Sequence, residues 1–222
     1  FVGLEPVESA KFGGFLITFV IGVTGIVGSL PLGILLALGR GSDMPTVKMI
    51  CVGFIEFIRG VPLITLLFVA STLLNYFLPP GTTFDLILRV IIMVTLFAAA
   101  YLAENIRGGL QSIPKGQYEA AKAMGMTTAQ MTMLITLPQA LRAVIPAIVG
   151  QIITLFKDTS LVSIIGLADF LRVANNIVPG QPDSLGTKLE NLVFAAVVYW
   201  VFTFTFSRAS LRLERRLGVG VR

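Results

Sequence analysis

The sequence predicts an all-α polytopic membrane protein: five transmembrane helices, with a cytoplasmic helix–turn–helix between spans three and four. Three observations carry that expectation. Of the 222 residues, 55% are hydrophobic and only 13% charged, with a mean hydropathy of +0.87; in a soluble domain roughly a quarter are charged. The apolar residues come in long runs instead of alternating, as crossing a hydrocarbon core of about 30 Å requires. Between the third and fourth runs lies a polar island, residues 112–138, whose letters read as ordered structure and not as a loose loop.

The first span covers about 12–39, where no charge interrupts Phe12 to Gly39. Gly14, Thr18 and Gly22, then Gly25, Ser29 and Gly33, place small residues four apart, which lets a neighbouring helix approach closely. The second, about 50–78, is interrupted only by Glu56 and Arg59 and ends at the turn signal Pro79-Pro80-Gly81. The third runs over about 86–106. The fourth, about 140–162, is uncharged only from Ala143 to Phe156, so it must carry Lys157 and Asp158 to membrane depth. The fifth, about 191–207, is short and rich in aromatics (Phe194, Tyr199, Trp200, Phe202, Phe204, Phe206).

Five spans put the two ends of the chain on opposite sides, and basic residues decide which is which. The 40–48 loop, the 107–142 segment and the tail from Arg208 to Arg222 together hold 11 of the 17 Lys and Arg residues. The other side has Lys11, Arg89, Arg172 and Lys188. The positive-inside rule therefore makes the island and the C-terminus cytoplasmic and turns the 159–190 loop, with Asp169, Asp183 and Glu190, outward. The net charge of +5 reports this orientation and not nucleic-acid binding. The chain opens Phe1-Val2-Gly3 with neither an initiator methionine nor a secretory signal, so further residues and spans upstream are expected.

With no histidine and a single cysteine, Cys51, there is no disulfide framework within the chain, no ordinary His/Cys metal site and no base for Ser-His or Cys-His chemistry. Cys51 lies in an apolar run and reads as a small buried hydrophobe. No Gly-Lys pair occurs, so the P-loop device that grips nucleotide phosphates is missing as well.

Within the island, Pro114 suits a first helical turn, and Lys115 to Met124 reads as a short helix with Gly125 as a left-handed cap. Thr127-x-x-Gln130 matches a capping box, so a second helix is expected from there to about Leu137, with Pro138 marking the bend into span four. Ala120, Ala121 and Ala123 leave no bulk, so another protein's surface can come close to the backbone, and Glu119 offers a charged handle.

The run Glu119-Ala120-Ala121-Lys122-Ala123-Met124-Gly125, followed by Ile135-x-Leu137-Pro138, resembles without a gap the EAA---G---------I-LP signature of permease subunits of binding-protein-dependent ABC importers. Arg59-Gly60-Val61-Pro62-Leu63, Glu104-x-x-Arg107-Gly108-Gly109, Ile113-Pro114-Lys115-Gly116-Gln117 and Lys157-Asp158-Thr159-Ser160-Leu161 are similar to the polar amino-acid branch, nearest its general L-amino-acid permease group. The likeness covers roughly residues 12 to 217. It implies that the island (Tyr118, Glu119, Ala120, Ala121, Lys122, Ala123 and Gly125) is a coupling helix docked on an ATP-binding subunit. It further implies two such subunits that carry the ATP and Mg²⁺, an external amino-acid-binding protein, and a second permease chain, more often a relative than an identical copy.

Charges at membrane depth are costly and must pair, face the bundle interior or serve the pathway. Arg59 falls roughly 14 Å above the inner end of span two and Asp158 roughly 23 Å above the start of span four, both between the midplane and the outer half. One reading makes Arg59 the partner of a substrate carboxylate and Asp158, with the Thr159 and Ser160 hydroxyls, the acceptor of its ammonium. Gly60 and Pro62 would then loosen span two, as broken helices do in transporters. The other reading is structural: Glu56 and Arg59, three apart, pair with each other, and Lys157 and Asp158 end their helix at the outer surface. Glu104 and Arg107, also three apart, are expected to brace the coupling segment at the inner membrane edge.

The expected function is thus ATP-driven amino-acid uptake, with this chain forming the path and performing no covalent chemistry. An ion-driven transporter would want symmetric halves, and no internal repeat is visible. An intramembrane serine protease would need Lys157 as its base. A non-transporting scaffold leaves the intramembrane charges without a task.

Overall fold

The computed structural model describes residues 12–73, 76 and 84–218. The expected Pro79-Pro80-Gly81 turn, together with Lys11 and Arg222, lies outside them. Among the described residues the chain is all helical apart from one isolated bridge between Gly14 and Asp169. In order, the helices are α1 (Phe15–Arg40), α2 (Pro45–Gly60), α3 (Leu63–Phe68), α4 (Leu86–Gln111), α5 (Lys115–Ala123), α6 (Thr128–Met131), α7 (Leu137–Ala143), α8 (Ile145–Asp158), α9 (Phe170–Arg172) and α10 (Lys188–Leu217).

Among the described residues, four stretches are long and apolar enough to cross a membrane: α1, α4, α8 with its 3₁₀ extension to Ile165, and α10. A fifth exists if α2 and the Leu63–Leu73 stretch count as one span, for they meet at 102°. The bend has a local cause. Proline disfavours helical backbone in the residue before it, and Val61, ahead of Pro62, is extended (φ −105°, ψ 130°). Span two is therefore broken at residues 61–62, where the apolar run alone reads as one continuous helix.

The fourth span differs from expectation in a similar way. Pro138 does not interrupt the helix: a π-helical stretch, Thr132–Thr136, leads into α7, which passes through Pro138 to Ala143. The interruption comes at Val144 (φ −103°, ψ 8°), and Pro146 enters α8 in its first turn, where its missing N–H is harmless.

α1 and α4 form the centre of the bundle, packed through Ile17, Ile21, Val90, Val94 and Phe97. The small residues of α1 make this close approach feasible, Gly25 meeting Val94 and Gly28 meeting Thr95. Cys51 is half-buried beside Gly39 instead of enclosed in the core. α10 joins through rings: Phe156 stacks on Phe202 with centroids 5.6 Å apart, and Phe15 lies 4.9 Å from Phe202. Thr24, Thr154 and Thr205 donate to carbonyls four residues back, so their hydroxyls stay satisfied away from water.

Candidate functional site

The island folds as two short helices across a tight turn. Pro114 precedes α5, and its carbonyl accepts from the Gln117 N–H. At the other end Gly125 adopts φ 75°. The Met126 N–H donates to the Ala121 carbonyl at 3.1 Å and the Gly125 N–H to the Lys122 carbonyl at 2.9 Å, the paired bonds of a Schellman motif. α6 then opens with a complete capping box: the Gln130 N–H donates to Thr127 Oγ1, and the Thr127 N–H to Gln130 Oε1. Each such cap is worth about 1 kcal/mol, so this turn is held in one shape.

The element is also tied to the spans. Tyr118 Oη donates to the Leu110 carbonyl at the end of α4 (3.2 Å), and Gln139 Nε2 on α7 donates to Gln117 Oε1 (3.3 Å). Glu119, Ala120, Lys122, Ala123 and Gly125 are exposed, and Met124 shows 78% of its surface. Ala121 corrects the expectation for the small-residue face. It is buried against its own chain, so Ala120 and Ala123 are the alanines open to a partner.

Near the same end lies a cluster of five charges. Arg40 Nη1 sits 2.8 Å from Glu56 Oε1 and 3.5 Å from Glu104 Oε2; Arg59 Nη1 is 3.9 Å from Glu104 Oε2. Arg107 Nε donates to Glu104 Oε1 at 2.8 Å, and its Nη2 contacts the same oxygen. Arg59 also lies over the Tyr101 ring, 5.5 Å from its centre. The expected Glu56–Arg59 pair is not formed; each turns to a different helix, Glu56 to α1 and Arg59 to α4. Glu104 stands seven residues before the end of α4, about 10 Å along the axis. Arg59 therefore points its charge toward the island's end of the bundle and not toward the opposite half.

Asp158 closes α8, and Thr159 begins the 3₁₀ turn that follows. Thr159 is buried, and its hydroxyl donates to the Phe156 carbonyl at 2.7 Å, which removes it as a free substrate contact. Ser160 and Asp158 are half-buried. No ion pair joins Arg59 to Asp158 among the described residues. Gly60, at the exposed end of α2, and Pro62 flank the break in span two.

Two residues do work that sequence reasoning missed. Arg89, only 9% exposed, donates to the Ala70 and Ser71 carbonyls (3.3 and 2.7 Å), clamping the π-helical stretch Val69–Leu73 to α4. Asp169, expected in an outward-facing loop, is fully buried. It caps α9 by accepting from the Leu171 and Arg172 N–H groups at 3.0 and 3.2 Å, while the neighbouring Phe170 N–H donates to Thr18 Oγ1. Burial pushes the Asp169 carboxyl above the usual carboxylate range, against those N–H donors and the Arg172 charge. An Asp followed by two apolar residues and a basic one was the hint of a cap there.

A bundle of membrane-length helices joined by a fastened, capped helix–turn–helix defines a polytopic membrane protein. The chain belongs to the family of binding-protein-dependent transport system inner membrane components, whose model matches residues 29–219. It is 60% identical over 216 residues to the glutamate/glutamine/aspartate/asparagine transport system permease protein BztC of Rhodobacter capsulatus, covering 97% of this chain and 50% of that protein. It is 50% identical over 220 residues to the inner membrane amino-acid ABC transporter permease protein YhdY of Escherichia coli, covering 99% and 60%. The chain thus spans between half and three-fifths of these two relatives. Among solved structures, a crystal structure of an amino acid ABC transporter with histidines superposes with a TM-score of 0.79 at 30% identity, covering 91% of this chain and 92% of that one.

Proposed function

We propose that this chain is the membrane-spanning subunit of an ATP-driven importer carrying amino acids inward across a bacterial cytoplasmic membrane. Both relatives described above are named for amino-acid transport, which supports the substrate class. The observation that carries the reading is the capped, exposed helix–turn–helix of α5 and α6, fastened to α4 through Tyr118 and to α7 through Gln117.

Two separate ATP-binding subunits dock on this element from the cytoplasm, where the C-terminus also lies. A second, related permease chain completes the path, and an external amino-acid-binding protein delivers the substrate. This chain hydrolyses no ATP itself. When nucleotide draws the two ATPases together, the force enters at Glu119–Gly125 and passes into α4 and α7, which rock the bundle. The break at Gly60–Pro62 gives span two a hinge. Asp158 and Ser160 meet the substrate's ammonium on the outer side, and Arg59, with its charge already turned inward, meets its carboxylate as the path opens.

The test is uptake of labelled glutamate and glutamine into vesicles holding the complete assembly. Glu119→Arg and Gly125→Trp, which reverse the exposed charge and obstruct the left-handed turn, are expected to abolish uptake while ATP turnover continues and the subunits stay assembled. Normal uptake by both variants contradicts the reading.

A further inference from the structure

Beside the charge cluster, a groove of about 1150 Å³ opens between the α1–α2 connection, the end of α4 and the α5–α6 element. Four cations line it, Arg40, Lys48, Arg107 and Lys115, against one carboxylate, Asp43. They are not equivalent. Arg40 and Arg107 are engaged by Glu56 and Glu104. Lys48 and Lys115 are exposed and form no ion pair among the described residues.

Apart from polar side chains such as Gln111, Tyr118 and Thr132, most of the remaining wall is apolar, with Leu38, Val52, Leu110 and Met133 facing the same space. Met44, at its edge, is 60% exposed, and Met133 is 61% exposed. A purely aqueous acidic partner has no use for such a wall. A molecule with an anionic head and an apolar body satisfies both halves at once, and basic pockets between spans at the cytoplasmic surface have this chemistry.

We infer that the groove is a binding site for an anionic phospholipid of the inner leaflet. Lys48 and Lys115 hold the phosphate, and the apolar wall takes the first methylenes of the chains. Because one wall is the α5–α6 element, a lipid seated there buttresses the lever through which the ATPases act. The inference rests on the cytoplasmic placement of α5 proposed above.

The test uses the complete purified assembly. Native mass spectrometry measures retention of added phosphatidylglycerol against phosphatidylcholine, for the wild type and for Lys48→Gln, Lys115→Gln and the double variant. Preferential retention of phosphatidylglycerol is expected, weakened about fivefold for each lysine removed, since a basic residue near the surface contributes about 1 kcal/mol. Excess inorganic phosphate should not displace the lipid, because it lacks the apolar half. Equal retention of both lipids overturns the inference, as does a preference unchanged in the double variant or full displacement by phosphate. If the double variant fails to assemble, the single variants decide on the same criterion. Amine cross-linking that joins Lys48 to an ATP-binding subunit would mark the groove as a protein interface and overturn it too. ATP-driven uptake, measured separately, reports on the transport reading, so the two stand or fall by different data.

Discussion

Arg59 and Glu104 meet across the α2–α4 interface, with Arg59 Nη1 3.9 Å from Glu104 Oε2. Glu104 also receives Arg40 and Arg107, so one carboxylate gathers guanidinium groups from α1, α2 and its own helix. Three cations against two anions leave the cluster with a surplus positive charge, held at the end of the bundle where α5 attaches.

Glu104→Gln is expected to destabilise the chain more than Glu56→Gln. The Glu104 side chain is 20% exposed and serves three arginines, whereas that of Glu56 is 55% exposed and serves one. Removing the counter-charge that three clustered arginines share costs about 1–3 kcal/mol, against less than about 1 kcal/mol for an exposed pair. Thermal unfolding of the two variants in detergent ranks them, and equal melting temperatures would deny Glu104 its central place.

Two helical glycines, Gly109 buried and Gly150 exposed, should behave oppositely. A Cβ on Gly109 would lie 2.6 Å from the Ala140 carbonyl oxygen, where α4 presses on α7, whereas one on Gly150 meets nothing within 4 Å. Gly109→Ala is predicted to lose about 1–3 kcal/mol through overpacking, and Gly150→Ala to fold as well as the wild type. Yield of monodisperse protein and melting temperature check both.

Asp169 combines a cap with a buried charge, and the two separate by substitution. Asp169→Ala removes the acceptor for Leu171 and Arg172 and should cost about 1 kcal/mol or more. Asp169→Asn keeps an acceptor oxygen without the charge. Because burial raises the carboxyl pKa in the folded protein, the ionised form is disfavoured there. Wild type and Asn variant should therefore match below the ordinary carboxylate range. As pH rises through the raised pKa the wild type should lose stability relative to the variant. Melting curves at several pH values show the sign; a wild type that gains on the variant with rising pH contradicts it.

How much could be read from the letters depended on whether the determinant was local. The apolar runs pointed to a bundle of membrane-length helices, and Thr127-x-x-Gln130 with Gly125 specified both caps of the island, because a capping box and a left-handed glycine need only near neighbours. Spacing also brought Glu104 and Arg107 onto one helix face. It misled at Glu56 and Arg59, where the same three-residue separation was overridden by Arg40 and Glu104 from packed helices. Ala121 turned inward, Arg89 clamped a π-helical stretch and Asp169 sank into the fold for the same reason: each is set by which helices pack together. The break at Val61 was legible in Pro62 but was outweighed by the length of the apolar run, and Pro138 was absorbed by the π-helical stretch before it.

The account turns on the α5–α6 element being the seat of a separate ATPase, and Met124 at its exposed tip tests this most directly. With Cys51, the one cysteine of this sequence, replaced by Cys51→Ala, Met124→Cys is the one thiol these 222 residues bring to a complex whose other subunits are also freed of reactive cysteines. The account predicts that a short thiol cross-linker joins it to an ATP-binding subunit, with a yield that changes when nucleotide is added. Cross-linking to the external binding protein, or modification by a membrane-impermeant reagent added to intact cells, would contradict it.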